Sequence, residues 1–246
     1  SLNMVTKKEI KFMNSLKHKK FRQLNNCFIV EGKKSITEFL ESDYDLVKLF
    51  SVDCSFFSKI ENQINIDNSL LKKISFLINP DDHVAIFKLN DAKPIDNNNL
   101  IVALESISDP GNLGTIIRNC EWFGVKDLIC SKDSVDCFNP KVIQSAMGSV
   151  SRVNITYLDL YKYLKSSKNI KIGTSLNGKS IYQNNKSFDK GILLFGNEAN
   201  GISNHLFKLM NCNFSIPRFK KNKFPESLNL ASSLGIILSE IRRKSI

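Results

Sequence analysis

Three stretches of the chain combine glycine, amide and charged residues at spacings that could hold and orient a ligand. The first is Ser108-Asp109-Pro110-Gly111-Asn112-Leu113-Gly114, with Arg118 following Asn112 at less than two helical turns. Pro110 and Gly111 suit a tight turn, and Asn112 is expected to cap a helix whose free N–H groups face an anion. The second is Leu194-Phe195-Gly196-Asn197-Glu198-Ala199-Asn200-Gly201-Ile202-Ser203. Gly196 and Gly201 permit close approach of backbone to a ligand, and Glu198 places a carboxylate between them. The third is Ile216-Pro217-Arg218, then Ser227-Leu228-Asn229 ahead of the small residues Ala231, Ser232, Ser233 and Gly235. Ser227 and Asn229 are both good helix-start residues, and the small residues allow that helix to lie against another backbone. Each stretch alone also fits a plain structural account: a capped helix with a solvated arginine, a turn with a solvated acid, a capped terminal helix. No G-x-G-x-x-G follows a strand and no G-x-x-x-x-G-K-[ST] occurs, which disfavours dinucleotide and ATP sites of those kinds.

The elements that must position these stretches alternate. In the second part the pattern predicts strands at 100–104, 127–130, 153–155, 170–175, 191–195 and 214–216. Helices are predicted at 112–123, 140–147, 159–165, 204–210 and 227–243. Near-continuous apolar runs such as Leu100-Ile101-Val102-Ala103-Leu104 are those of buried parallel strands, so the expectation is a parallel sheet covered on both faces. In such sheets ligands sit beyond the carboxyl ends of the strands, which is where all three stretches fall. The first part reads as a smaller α/β module. It has a basic helix over 4–26, a strand at 28–32, a helix at 33–40, a strand at 46–52, then a helix, a strand and a short helix before a strand at 85–89. The polar segment Asn90 to Asn99 contains Pro94 and reads as a linker, giving an N-terminal domain over 1–92 and a second over 98–246.

The formal net charge is +11, which suits an anionic partner, with nucleic acid ahead of a membrane surface. Lysine- and asparagine-rich runs such as 96–99 and 220–223 also fit a codon bias, so charge alone does not decide function. The six cysteines Cys27, Cys54, Cys120, Cys130, Cys137 and Cys212 form no C-x-x-C pair, which argues against zinc. Cys120, Cys130 and Cys212 read as small buried hydrophobes, and a reducing cytoplasm is the expected compartment. No run approaches the roughly 18 apolar residues of a membrane span. Met4 is the expected natural start, with Ser1-Leu2-Asn3 a remnant ahead of it.

Taken together and in this order, the three stretches resemble the motifs of the SpoU/TrmH group of SPOUT methyltransferases. The carrying residues are Asn112-x-Gly114-x-x-x-Arg118, Phe195-Gly196-Asn197-Glu198-x-x-Gly201, and Ile216-Pro217 with Ser227-Leu228-Asn229. Asn139-Pro140-Lys141 and Gly148 fit as well, and the likeness covers about 99–246. The N-terminal part resembles that family's small α/β/α RNA-binding module through Ser15-Leu16, Lys20, Arg22, Phe28 and Val30-Glu31-Gly32.

The resemblance implies a Rossmann-like parallel sheet whose C-terminal segment forms a trefoil knot, which pattern alone does not give. It implies methylation of an RNA ribose 2′-hydroxyl from S-adenosylmethionine, with no metal, and a homodimer whose active site is completed across the interface. By matching positions, Gly196, Ile216 and Leu228 are expected to hold the adenosine through backbone groups. Phe195, Asn197, Glu198, Gly201, Pro217, Ser227, Asn229 and Ala231 are expected to line the pocket, and Thr174-Ser175-Leu176 to touch the cofactor. Arg118 is the implied catalytic centre. A guanidinium keeps its proton, so Arg118 is expected to orient the ribose-phosphate and stabilise a developing alkoxide. Asn112 and Asn229 would hold the ribose and the arginine, and Glu198 would anchor this network or take the proton. RNA contacts are expected from Lys17, Lys20, Arg22, Lys33, Arg118, Arg218, Lys220 and Lys221.

Two departures from the family pattern stand out. Residues 218–226 form a basic and aromatic insertion where many relatives have a shorter, glycine-containing link, suited equally to RNA contact or to a solvated loop. Gln144 stands where relatives often have arginine. Three functions stay open on sequence: a ribosomal or transfer RNA 2′-O-methyltransferase, with ribosomal RNA preferred; an RNA-binding protein that keeps the fold without catalysis; and a Rossmann-like enzyme for an anionic metabolite.

Overall fold

The computed structural model describes residues 5–219 and 227–245. The expected remnant ahead of Met4, and Lys220 and Lys221, lie outside the described residues. The chain divides into two compact units, one formed by 1–91 with 136–151 and the other by 92–135 with 152–246.

The first unit begins with α1 (Lys7–Ser15) and α2 (Lys19–Asn25). The basic helix expected over 4–26 is therefore interrupted at 16–18. A capping box starts α1: the Thr6 hydroxyl accepts from Glu9 N at 3.2 Å, and Glu9 accepts from Thr6 N at 2.9 Å. The unit continues with β1 (Cys27–Glu31), α3 (Lys33–Leu40), β2 (Leu46–Ser51), β3 (Gln63–Asn65), α4 (Asn68–Ile74) and β4 (His83–Lys88). The helix expected between 52 and 63 is absent; turns and bends occupy that stretch and carry the chain from β2 to its parallel neighbour β3. The sheet order is β1-β4-β2-β3, with β4 antiparallel to both β1 and β2. Gly32 (φ +90°) makes the turn from β1 into α3.

In the second unit, β5 (Leu100–Leu104) leads into α5 (Pro110–Trp122) and β6 (Asp127–Ser131). The next helix, α6 (Pro140–Ala146), lies in the segment 136–151 that packs with the first unit, although the sequence pattern assigned it to the second domain. There Phe138 meets Phe28 at 4.7 Å between ring centroids. The second unit resumes with β7 (Asn154–Leu158), α7 (Leu160–Ser166), β8 (Lys171–Ser180), β9 (Gly191–Phe195), α8 (Asn204–Phe207), β10 (Cys212–Ser215) and α9 (Leu230–Arg243). Its six strands run in the order β10-β8-β9-β5-β6-β7, and every neighbouring pair is parallel. One face of the sheet buries Ile101, Ala103, Ile129, Ile192 and Leu194 against Leu160, Leu164 and Leu206 of α7 and α8. Helices α5 and α9 pack on one another and bury Leu113, Ile116, Ile117 and Cys120 with Leu234, Leu238 and Ile241. Cys120 and Cys130 are fully buried as expected, whereas Cys212 on the edge strand β10 is only partly buried.

Strand β8 is longer than the stretch predicted, and the reason is local. It pairs with β9 only through Gly173, and its register with β10 jumps from Asn213↔Gly173 to Phe214↔Lys179. Residues 174–178 therefore leave the ladder beside the end of β9. Among the described residues no helix is long and apolar enough to cross a membrane.

Candidate active site

Strands β5 and β9 are neighbours, yet the chain leaves them in opposite directions, β5 toward β6 and β9 toward β10 on the far side. This is a topological switch point, where the carboxyl ends of an open α/β sheet leave a crevice. The loops 105–109 and 196–203 flank it, and they are tied together. Glu105 N donates to Phe195 O at 2.9 Å, and Asn197 Nδ2 donates to Ser106 O at 2.7 Å.

Helix α5 starts earlier than the sequence pattern indicated. Asp109, not Asn112, is its N-cap: the Asp109 carboxylate accepts from Asn112 N at 2.7 Å, and Pro110 takes the first helical position, where its missing N–H costs nothing. The Asp-Pro pair was the available signal. The consequence is that the Asn112 side chain is free. Its Nδ2 donates to Glu198 at 3.4 Å, and its Oδ1 accepts from Asn229 Nδ2 at 2.8 Å. Asn229 is the N-cap of α9, its Oδ1 accepting from Ser232 N at 3.1 Å, so α9 begins at Leu230 instead of Ser227. Two bonds, spanning 86 and 117 positions, thus join three residues into one chain, Glu198–Asn112–Asn229.

Glu198 also accepts from Ser108 N and Ser108 Oγ, both at 3.3 Å, and from Asp109 N at 3.1 Å. Ser108 opens the first of the three stretches, but the sequence gives it no role, because a lone loop serine carries no distinguishing signal. Partial burial pushes the Glu198 carboxyl upward, but bonds from its own backbone, Asp109, Ser108 and Asn112 outweigh that and hold it below the ordinary carboxylate range. A carboxylate so saturated with donors is a poor proton acceptor and a good anchor.

The other expected residues are placed as follows. Arg118 is exposed on α5 and has no hydrogen-bond or ion-pair partner among the described residues. Ser227 is exposed and outside the Glu198 chain. Phe195 and Ala231 are buried. Gly196 is required by crowding: a Cβ there would lie 1.9 Å from the Gly201 carbonyl carbon. Gly201 has φ +66° and closes the turn through paired bonds with Asn197 at 2.9 and 3.0 Å. Thr174 donates its hydroxyl to Leu194 O at 3.1 Å, and Ser175 Oγ accepts from Asn213 Nδ2 at 2.5 Å. Ile216 and Pro217 are half-buried, while Leu176 and Leu228 are 70% and 49% exposed.

These groups fit S-adenosylmethionine. Apolar Leu176, Ile216, Pro217 and Leu228 are suited to a flat adenine, and the excursion 174–178 supplies backbone groups outside any ladder. Within 174–178 and 194–203 the only charged side chain is Glu198, so these segments carry no cation to repel a sulfonium. Among the described residues no cluster of His, Cys, Asp and Glu could hold a metal ion.

In the first unit, Lys17, Lys20 and Lys33 are exposed, with Lys33 Nζ 4.0 Å from the centroid of the half-exposed Phe56 ring. Arg22, expected among the RNA contacts, is instead buried. It is 2% exposed, its Nη1 donates to the carbonyls of Leu16 and Lys17 at 2.9 Å each, and its Nη2 meets Asp136 at 2.5 Å. The break after α1 frees those two carbonyls, and a buried guanidinium satisfies them. Arg22 is structural: it is buried, with Nε, Nη1 and Nη2 engaged by Asp136 and the Leu16 and Lys17 carbonyls, and it presents no surface to RNA. Arg218 and Phe219 are exposed at the start of the basic insertion.

Residues 99–239 match the SpoU rRNA Methylase family, and residues 7–85 match the MRM3-like substrate binding domain. The chain is 26% identical over 242 residues to the 23S rRNA (guanosine(2553)-2′-O)-methyltransferase RlmP of Bacillus subtilis, covering 95% of this chain and 96% of that protein. Among solved structures it is similar to a TrmH-family protein from Porphyromonas gingivalis, with a TM-score of 0.88 and 31% identity over 98% of this chain and all of that one. It is also similar to an AdoMet-bound rRNA methyltransferase from Sinorhizobium meliloti, with a TM-score of 0.85 and 26% identity over 99% of this chain and 97% of that one.

Proposed function

The chain belongs to the SpoU rRNA methylase family, and on that premise we propose that it methylates a ribose 2′-hydroxyl of ribosomal RNA. It is an S-adenosylmethionine-dependent RNA 2′-O-ribose methyltransferase, with the RlmP-like relative matching over nearly the whole length. The observation that carries the reading is the Glu198–Asn112–Asn229 chain, which gathers one residue from each of the three motifs at a single strand-end crevice.

When bound, S-adenosylmethionine supplies an electrophilic methyl group. Gly196, Ile216 and Leu228 hold its adenosine through backbone groups. Phe195, Asn197, Gly201, Pro217, Asn229 and Ala231 shape the pocket, with Thr174, Ser175 and Leu176 on the β8 excursion. Arg118 binds the ribose-phosphate and stabilises the 2′-oxygen as it bonds the methyl carbon and passes its proton to solvent water; its exposed guanidinium has no partner among the described residues to compete with RNA. Asn112 and Asn229 align the nucleotide, and that alignment supplies much of the rate. Of the two roles open to Glu198, the saturated geometry favours anchoring over proton acceptance. Ser227, exposed ahead of the Asn229 cap, faces substrate. Lys17, Lys20, Lys33 and Arg218 contact RNA phosphates.

The same reading gives a cytoplasmic homodimer with a trefoil-knotted C-terminal segment. Trp122, one turn beyond Arg118 on α5, is 83% exposed and is the surface a second copy would cover.

The test is transfer of labelled methyl to purified ribosomal RNA and, separately, to transfer RNA, followed by mapping of 2′-O-methylated nucleotides. Label confined to ribosomal RNA is expected. Label confined to transfer RNA would replace the substrate assignment, and cofactor binding without transfer to either would leave an RNA-binding protein.

A further inference from the structure

The two loops of the crevice each lend a glutamate to a serine of the other. Glu198 of the β9 loop accepts both the N–H and the hydroxyl of Ser108 in the β5 loop, each at 3.3 Å. Glu105, at the end of β5, accepts both the N–H of Ser203, at 2.8 Å, and its hydroxyl. The first bond set grips the tip of loop 196–203, and the second grips its far stem. Between the grips the turn is closed by Asn197 and Gly201, and Gly196 is pressed against the Gly201 backbone.

Ser203 shows that the second grip overrides local preference. It is the N-cap of α8, where a serine side chain ordinarily accepts a first-turn N–H, yet it makes no such bond. Its hydroxyl goes to Glu105 instead. Glu105 is itself 8% exposed, and a carboxylate is costly to bury unless its oxygens are satisfied. Both oxygens accept from Ser203, one each. A buried acid kept for one serine, against the serine's own capping role, serves the loop more than the helix.

We propose that Glu105 is a positioning residue for cofactor binding. By holding Ser203 it fixes the stem of the loop whose Gly196 and Asn197 face S-adenosylmethionine, and it does so without touching the cofactor. The proposal rests on the reading of this crevice as the S-adenosylmethionine site.

The test uses the full chain, with S-adenosylmethionine affinity by calorimetry and steady-state kinetics on RNA. Glu105→Ala is expected to raise the Kd and the KM for S-adenosylmethionine about tenfold or more, the scale of losing two hydrogen bonds to a charged group. The kcat at saturating cofactor should stay within about threefold of wild type, because Arg118, Asn112 and Asn229 are untouched. Glu105→Gln keeps an acceptor for Ser203 N–H and can donate to its hydroxyl, so it should recover cofactor affinity to within about threefold of wild type. Ser203→Ala removes only the hydroxyl and should raise the KM about three- to fivefold, which keeps the test decisive if Glu105→Ala does not fold. An unchanged KM in Glu105→Ala or Ser203→Ala overturns the proposal. So does a fall in kcat matching the rise in KM with no recovery in Glu105→Gln. Failure of the wild-type chain to bind S-adenosylmethionine would defeat the cofactor reading itself; wild-type binding with an equally tight Glu105→Ala would defeat only the role of Glu105.

Discussion

The side chain of Asn229 donates from Nδ2 to Oδ1 of Asn112 at 2.8 Å, and this bond has a fixed direction. Asn229 cannot turn its amide over, because its Oδ1 is held by Ser232 N. Asn112 cannot turn over either, because its Nδ2 faces the Glu198 carboxylate, which only accepts. Substituting Asn112→Asp places a second carboxylate against Glu198 while preserving size. It should lower kcat/KM about 100-fold, the scale of losing a hydrogen bond to a charged group and adding like-charge repulsion. Asn229→Ser keeps a capping oxygen but is too short to reach Asn112. It should retain the α9 start, seen as near-normal melting, and still lose about tenfold or more in turnover. Near-normal rates in both variants would show that the amide chain does not position substrate.

Arg118 stands apart from that chain. Because it is exposed and has no partner among the described residues, its removal should leave the fold intact. Arg118→Lys keeps charge but loses the planar fork, and should lower kcat about 100-fold with unchanged cofactor affinity and melting. Normal turnover at an unchanged pH optimum in that variant would remove the bidentate orienting role.

Arg22 should behave in the opposite way. Arg22→Met leaves Asp136 with an uncompensated charge and the Leu16 and Lys17 carbonyls without their donor. The loss of stability should be about 3–5 kcal/mol, measured by denaturant titration. Below the transition, the salt dependence of RNA binding should keep its slope, since Arg22 neutralises no phosphate. A shallower slope with unchanged stability would restore Arg22 as an RNA contact.

His83 gives the first unit a pH dependence. It is 2% exposed, its Nδ1 lies 2.9 Å from Ser51 Oγ, and Phe57 stands edge-on at 5.0 Å. Burial lowers its pKa below the ordinary 6.5, partly offset by Asp81 and Asp82. A lowered folded value means the neutral form is favoured by folding. The stability this contributes is present above pH 6.5 and is lost as the pH falls through the folded value. An NMR titration of the imidazole should show a midpoint below 6.5, and His83→Gln should flatten the stability profile over that range. A midpoint at or above 6.5 would remove the effect.

Much of this protein was legible in its residues. Apolar runs such as 100–104 and 191–195 are strands because only a sheet buried on both faces tolerates them, and both fell where expected. The parallel sheet and the three polar motifs at strand ends followed from pattern and spacing; that β5 and β9 are neighbours with a crevice between their ends did not. Local rules also misled at specific residues. Asn112 looked like a cap because it precedes an apolar helix, but Asp109-Pro110 satisfied the helix start first and released the amide. Arg22 looked like a phosphate ligand because it sits among lysines, but the break after α1 left two carbonyls that needed a donor. Ser203 occupies a capping position and gives its hydroxyl to Glu105. Sequence by itself determined most of the strands and helices of the second unit and which loops hold polar residues, because those depend on neighbours within a few positions. Only the tertiary structure decided which carboxylate meets which donor, as Glu198 with Ser108 and Asn112, or Glu105 with Ser203. Those partners lie 86 to 98 positions apart, and strand order brings them together.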